Sequence, residues 1–195
     1  MLPVILPVGD LAGSCGWDGG EWRRIKVTEE GKLVLQTFGI VFDWTAPSTA
    51  SYVDVTGLDI NSHRGYWIYI VLYNPTTINL GLYMFVNGDY NTANYYHEYL
   101  LASGTSVTAN RANAASITGN YGGERWITTA FLTLAPGNYP YAWSLTARRP
   151  GPSIEFLSIA WAYIYSVSNI TSLRFQSSAS GGIGAGTRIL IYSLK

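Results

Sequence analysis

The sequence is poor in the residues that build most reactive sites. Its 195 residues hold one cysteine, Cys15, and two histidines, His63 and His97. One thiol makes no internal disulfide and no cysteine-based zinc site. The histidines are too far apart for a His-Glu-x-x-His metal spacing. Charge is scarce too. Twelve basic and 12 acidic side chains give zero net charge and 12% charged residues, about half the usual soluble share of roughly 25%. A neutral chain lacks the electrostatic footprint of a nucleic-acid binder. No apolar run reaches the ~18 residues that span a bilayer. The stretch Met1 to Val8 has no basic start and is broken by Pro3 and Pro7, so it does not read as a secretory signal. The expectation is a soluble chain with no nucleic-acid or membrane partner.

What the sequence has in quantity is aromatic. Seven Trp, 15 Tyr and 6 Phe make up 14%. Few charges with many aromatics exclude a disordered chain, and a neutral aromatic surface favours association. The charges are uneven. Nine of the first 36 residues are charged, 25%, against 15 of the remaining 159, 9%. This predicts a boundary near residue 37, with a charged arm over 1–37 and a charge-poor body over 38–195.

Within the arm, Trp22–Val27 and Leu33–Gln36 read as a hairpin around the turn Glu29-Glu30-Gly31. The segment Gly13–Gly20 reads as a glycine-rich loop carrying Trp17. The body alternates short β-branched and aromatic runs with turn signals. Strands are predicted at Ser51–Thr56, Tyr66–Tyr73, Ile78–Val86, Asn94–Leu101, Arg125–Leu134, Asn138–Ala147, Ile154–Tyr165, Ile170–Gln176 and Thr187–Leu194. Residues 87–93 and 102–124 read as long excursions, with at most one helical turn over Ala109–Ser116. In Tyr66–Tyr73 both faces are apolar, which points to a central strand or one covered on its outer face. Eight or nine antiparallel strands predict an all-β fold: a two-sheet jelly-roll sandwich preceded by an N-terminal β-hairpin arm. An immunoglobulin-like sandwich needs only about 100 residues and fits less well.

Tests for chemistry give little. No serine lies in Gly-x-Ser-x-Gly, and neither His63, His97 nor Cys15 sits beside a catalytic partner in sequence. Asp43, Asp54, Asp59, Asp89, Glu98, Glu124 and Glu155 could in principle pair for glycoside hydrolysis, but sequence places no two together. Asn87–Asn94 is rich in oxygen ligands for Ca²⁺ yet lacks the spaced acids of an EF-hand loop, and Asn87-Gly88 is above all a turn signal. No catalytic residue and no cofactor or metal is expected. The clusters Tyr95, Tyr96, Tyr99 and Tyr139, Tyr141, Trp143 are the candidate surface aromatics, either for self-association or for stacking on a glycan. Self-association accounts for the low charge of the whole body, and a glycan site for one patch.

Two sets of motifs carry a family resemblance. Gly16-Trp17-Asp18-Gly19-Gly20-Glu21-Trp22-Arg23-Arg24-Ile25 is similar to a hairpin element near the N-terminus of many phage structural proteins. Val55–Asp59, Asn87–Tyr96, Ile170–Phe175 and the ending Gly186-Thr187-Arg188-Ile189-Leu190-Ile191-Tyr192-Ser193 together resemble a jelly-roll module of tailed-bacteriophage virions. That module often ends in Gly-Ser-x-hydrophobic-x-Leu-Tyr-Gly. Here Thr187 replaces the Ser and Ser193 the last Gly. The resemblance implies a non-enzymatic virion protein, commonly a homotrimer, made in the host cytoplasm. The preferred placement is a capsid decoration (cement) protein on the major capsid protein. The alternative is a tail or fibre-tip domain that binds a host-surface glycan, and a glycan hydrolase is a weaker third. In the preferred placement Trp17 and Trp22 would anchor the arm, and Arg23, Arg24 and Lys26 would meet capsid carboxylates. Trp22 could equally be a core contact of its hairpin.

Overall fold

Period-two alternation sets the strands of the body, and their pairing builds two antiparallel sheets. The computed structural model describes residues 15–18, 21–24, 38–148 and 154–194. The chain divides into two compact units, Met1–Phe38 and Gly39–Lys195. In the first, β1 (Cys15–Asp18) pairs antiparallel with β2 (Glu21–Arg24), setting Trp17 opposite Trp22. Cys15–Asp18, inside the segment read as a glycine-rich loop, is therefore a strand. The predicted turn at Glu29–Gly31 and the strand Leu33–Gln36 lie outside the described residues.

The body carries β3 (Phe38–Thr45), β4 (Tyr52–Thr56), β5 (Gly65–Tyr73), β6 (Leu80–Val86), β7 (Tyr95–Ser103), β8 (Ser106–Ala112) and β9 (Ser116–Asn120). It continues with β10 (Arg125–Ala135), β11 (Tyr139–Arg148), β12 (Glu155–Tyr163), β13 (Ser172–Ser177) and β14 (Arg188–Leu194). The large sheet has the order β3-β14-β5-β10-β11-β12-β7-β8, and the small sheet β4-β13-β6-β9. The strands β3-β14-β5-β10 and β4-β13-β6-β9 are the two four-stranded sheets of a jelly roll. The remaining four strands widen one sheet. β11 and β12 follow β10 as a meander, and the β7–β8 hairpin docks on β12.

The long excursion predicted over 102–124 is therefore β8 and β9. β8, Ser106-Val107-Thr108-Ala109-Asn110-Arg111-Ala112, is an edge strand with nearly every side chain exposed. It has no apolar face, so alternation could not mark it. β3 was also missed, with apolar residues at most positions rather than at every second one.

The core lies between the sheets. Ile68, Ile70, Ile189 and Ile191 from the large sheet meet Val55, Leu82, Met84 and Phe175 from the small one. Tyr95 belongs here rather than on the surface. Its ring is fully buried, 5.4 Å from both Phe85 and Trp161, and its hydroxyl donates to the Asp89 carbonyl at 2.7 Å. The widened part has a different interior. β9 lies close against β10, β11 and β12, and the middle one of these, β11, meets it with small side chains. Ser144 donates to the Ile117 carbonyl at 2.5 Å, and the Thr146 hydroxyl lies 2.8 Å from those of Thr118 and Thr128.

Candidate functional site

Where β11 meets β9, its polarity is inverted. Its inward positions are Pro140, Ala142, Ser144 and Thr146, while Tyr139, Tyr141 and Trp143 face outward. The neighbouring strands follow the same register. Across seven strands one rung reads Tyr192, Trp67, Phe131, Trp143, Ala160, Glu98, Arg111. The next reads Leu190, Tyr69, Thr129, Leu145, Ser158, Leu100, Ala109, and a third brings Val71, Ile127 and Phe156 into line. Trp67, Phe131, Trp143, Ile127, Phe156 and Leu100 are each 40–54% exposed. Both faces of this sheet are thus apolar, yet only one is in the core.

Polar groups on this face are settled locally. The Trp143 indole N–H donates to Ser158 Oγ at 3.0 Å, and the Trp67 indole N–H donates to Thr129 Oγ1. Charge sits toward the edges. Arg188 pairs with Asp43 at 2.9 Å, and its hydrogen bond holds the Asp43 carboxyl below the usual range. Arg111 pairs with Glu98 at 3.2 Å at the other side. Arg125 sits with its guanidinium 4.7 Å from the centre of the Tyr73 ring. A charge-depleted aromatic centre inside a polar rim is the anatomy of a protein interface. A trough of about 450 Å³ opens where the outward residues are small, floored by Ala160 and Ala162 and flanked by Tyr96, Tyr141 and the Glu98–Arg111 pair.

The small sheet presents the opposite surface. Arg174 makes a two-pronged pair with Asp54 at 2.6 and 2.7 Å. Its guanidinium lies 4.0 Å from the centres of both the Tyr52 and Tyr90 rings. The charge and the aromatics there satisfy one another.

Of the predicted surface aromatics, Tyr96, Tyr139, Tyr141 and Trp143 lie on the outer face of the large sheet. Tyr95 is core, and half-buried Tyr99 sits on the inner side beside His97 at 5.9 Å. Trp67, Phe131, Ile127 and Phe156 were not foreseen as surface. The signal was present in the two apolar faces of Tyr66–Tyr73. β5 is indeed internal to its sheet, but its outward Trp67 is 46% exposed. In the arm, Trp17 and Trp22 are cross-strand partners, Arg23 pairs with Gly16 and Arg24 with Cys15. Lys26 lies outside the described residues.

Of the groups weighed for chemistry, His63 Nδ1, His97 Nδ1 and Glu124 Oε2 are buried without a hydrogen-bond partner, and the aspartates are bonded within the fold. His97 is buried, and desolvation lowers its pKa. His63 packs edge-on against Tyr66 at 5.7 Å. Asp59 is held low by Ser62 and Asn169. Asp89 accepts from Asn94 Nδ2, Tyr163 Oη and the Asn91 amide at 2.7, 2.8 and 3.0 Å. Asn87 Oδ1 accepts from the Thr171 amide at 2.9 Å. The Asp89 oxygens thus hold the loop together and tie it to Tyr163, and Asn87 ties it to Thr171. Among the described residues no three His, Cys, Asp or Glu gather where they could hold a metal ion.

Comparison with known proteins gives no relative: no family model, no curated protein and no solved structure matches this chain.

Proposed function

We propose that this chain is a non-enzymatic structural protein of a bacteriophage particle, a capsid decoration protein that works as a homo-oligomer. The observation that carries this reading is the outer face of the large sheet, aromatic and charge-poor across the five strands from β14 to β12. Such a face is stable in water only at a cost of roughly 25 cal/mol per Å² of apolar surface left exposed, and association removes that cost. The virion setting rests on the resemblance of the hairpin and body motifs to phage structural proteins. In this reading the arm meets the major capsid protein, and the oligomer, commonly a trimer in such proteins, stabilises the shell because it binds only the assembled lattice. The test is to add purified protein to capsids that lack decoration. Co-sedimentation at saturable stoichiometry and a higher capsid melting temperature are expected. No binding to capsids overturns the reading.

A second reading is favoured by the trough between Tyr96 and Tyr141: a tail-tip domain whose aromatics stack on a host glycan. Saturable binding on a glycan array without capsid affinity would select it.

A further inference from the structure

The outer face carries two features that complement one another. On β5 and β10, Trp67 and Phe131 stand side by side in one rung as an exposed ridge. On β12 the outward residues shrink to Ala160 and Ala162, and the trough of about 450 Å³ opens above them. We infer that this trough receives the Trp67–Phe131 ridge of a second copy of this chain. The inference deepens the proposed function and rests on its self-assembly.

Three observations select a second copy as the occupant. The first is charge. From Tyr192 to Ala160 the central rung is uncharged, and the Glu98–Arg111 and Asp43–Arg188 pairs at the edges are already made within the chain. A strongly charged partner finds little to pair with, whereas another copy of this face matches it. The second is shape. Ala160 shares the rung of Trp67, Phe131 and Trp143, so the chain supplies both large and small outward residues in one row, and one copy's large side chains can be set against another's small one. Ridge and trough lie on one face, so two copies facing each other about a two-fold axis can each seat a ridge in the other's trough. The third is area. Eight strands with four outward rows make a face of ~34 by ~25 Å, on the order of 850 Å². That is comparable to the ~800 Å² per partner of a stable interface.

The experiment measures the mass of the full chain by light scattering and sedimentation equilibrium over about 1–100 μM. Wild type is expected to be oligomeric. Ala160→Trp fills the trough and should shift the chain to monomer, weakening association by about a hundredfold or more. Trp67→Ala should weaken it about tenfold. The double variant exchanges large for small across the contact and should recover at least tenfold over Ala160→Trp. Circular dichroism checks each fold, and Ala160→Leu replaces Ala160→Trp should the latter unfold. A monomeric wild type, a mass unmoved by the trough substitution, or no recovery in the double variant overturns the inference. So does a monomer that binds a neutral oligosaccharide and loses it on Ala160→Trp. Capsid binding is read separately. A chain that binds capsids but ignores the trough substitutions removes the ridge-and-trough contact and leaves the decoration reading standing.

Discussion

Arg148 and Glu155 stand opposite each other on one rung of the β11–β12 ladder and form an ion pair with side chains only 8% and 6% exposed. The Arg148 guanidinium also lies over the Tyr121 and Trp126 rings, and Ser103 donates to the carboxylate at 2.5 Å. Burial pushes the Glu155 carboxyl up, but Ser103, Arg148 and Tyr121 outweigh it, and its pKa ends below the usual range. Removing one partner leaves a buried charge alone. Glu155→Leu and Arg148→Met should each cost about 3–5 kcal/mol. The double variant should cost clearly less than the sum. Urea unfolding of the four proteins measures the coupling.

Arg174, stacked between Tyr52 and Tyr90, gives a second prediction. Its fork pairs with Asp54 while both its faces meet rings, a geometry that lysine cannot reproduce. Arg174→Lys should destabilise by about 1–2 kcal/mol. Tyr90→Ala should cost more than Tyr52→Ala, because Tyr90 also packs edge-on against buried Phe85 at 5.7 Å. Thermal unfolding orders the three.

The turn after β6 gives a third. Asn87 and Gly88 have φ of 51° and 79°, the left-handed region that Asn and Gly enter most easily. Asn87 also ties the turn to Asn169 and Thr171, donating to the Asn169 carbonyl at 2.7 Å. Asn87→Ala should therefore cost about 2–3 kcal/mol, and Gly88→Ala about 1 kcal/mol. The Asn87→Ala loss should be insensitive to added Ca²⁺, because the Asn87 and Asp89 side-chain oxygens already accept from Thr171, Asn91, Asn94 and Tyr163. Denaturant midpoints with and without the ion check this.

Stability should fall in acid in two stages. Burial lowers the pKa of His97, so the folded chain keeps it neutral where the unfolded chain protonates. The unfolded state then takes up the extra proton as pH falls below the ordinary value of 6.5, and stability drops there. For Asp89, burial raises the carboxyl but Asn94, the Asn91 amide and Tyr163 bring it below 3.8, and Glu155 lies below 4.5. Those contributions are complete above the ordinary values and are lost as pH falls through the lowered ones. Urea midpoints against pH should show both stages, and His97→Gln should abolish the first alone.

How much of this was legible before the structure differs by element. β5, β10, β11 and β14 announce themselves through β-branched and aromatic runs bounded by turn residues, and the order of strands and turns foretold the jelly roll. β8 was not legible, because an exposed edge strand has no apolar face to alternate. The strand Cys15–Asp18 was not legible because Gly16 and its glycine-rich surroundings resemble a loop until a partner strand is assigned.

β11 marks the limit. The sequence by itself determined that Tyr139, Tyr141 and Trp143 share one side of a strand, since side chains alternate every residue. It did not determine which side. Burial of apolar area alone would turn the aromatics inward and Ser144 and Thr146 outward. The tertiary structure decided the reverse: Ser144 and Thr146 of β11 face β9 directly, while the large inward residues Trp126, Leu157 and Trp161 belong to the flanking strands β10 and β12. The hydroxyls there find partners in Ile117 and Thr118. The aromatics are thereby displaced to the outer face, and the low charge of the body becomes a property of one surface.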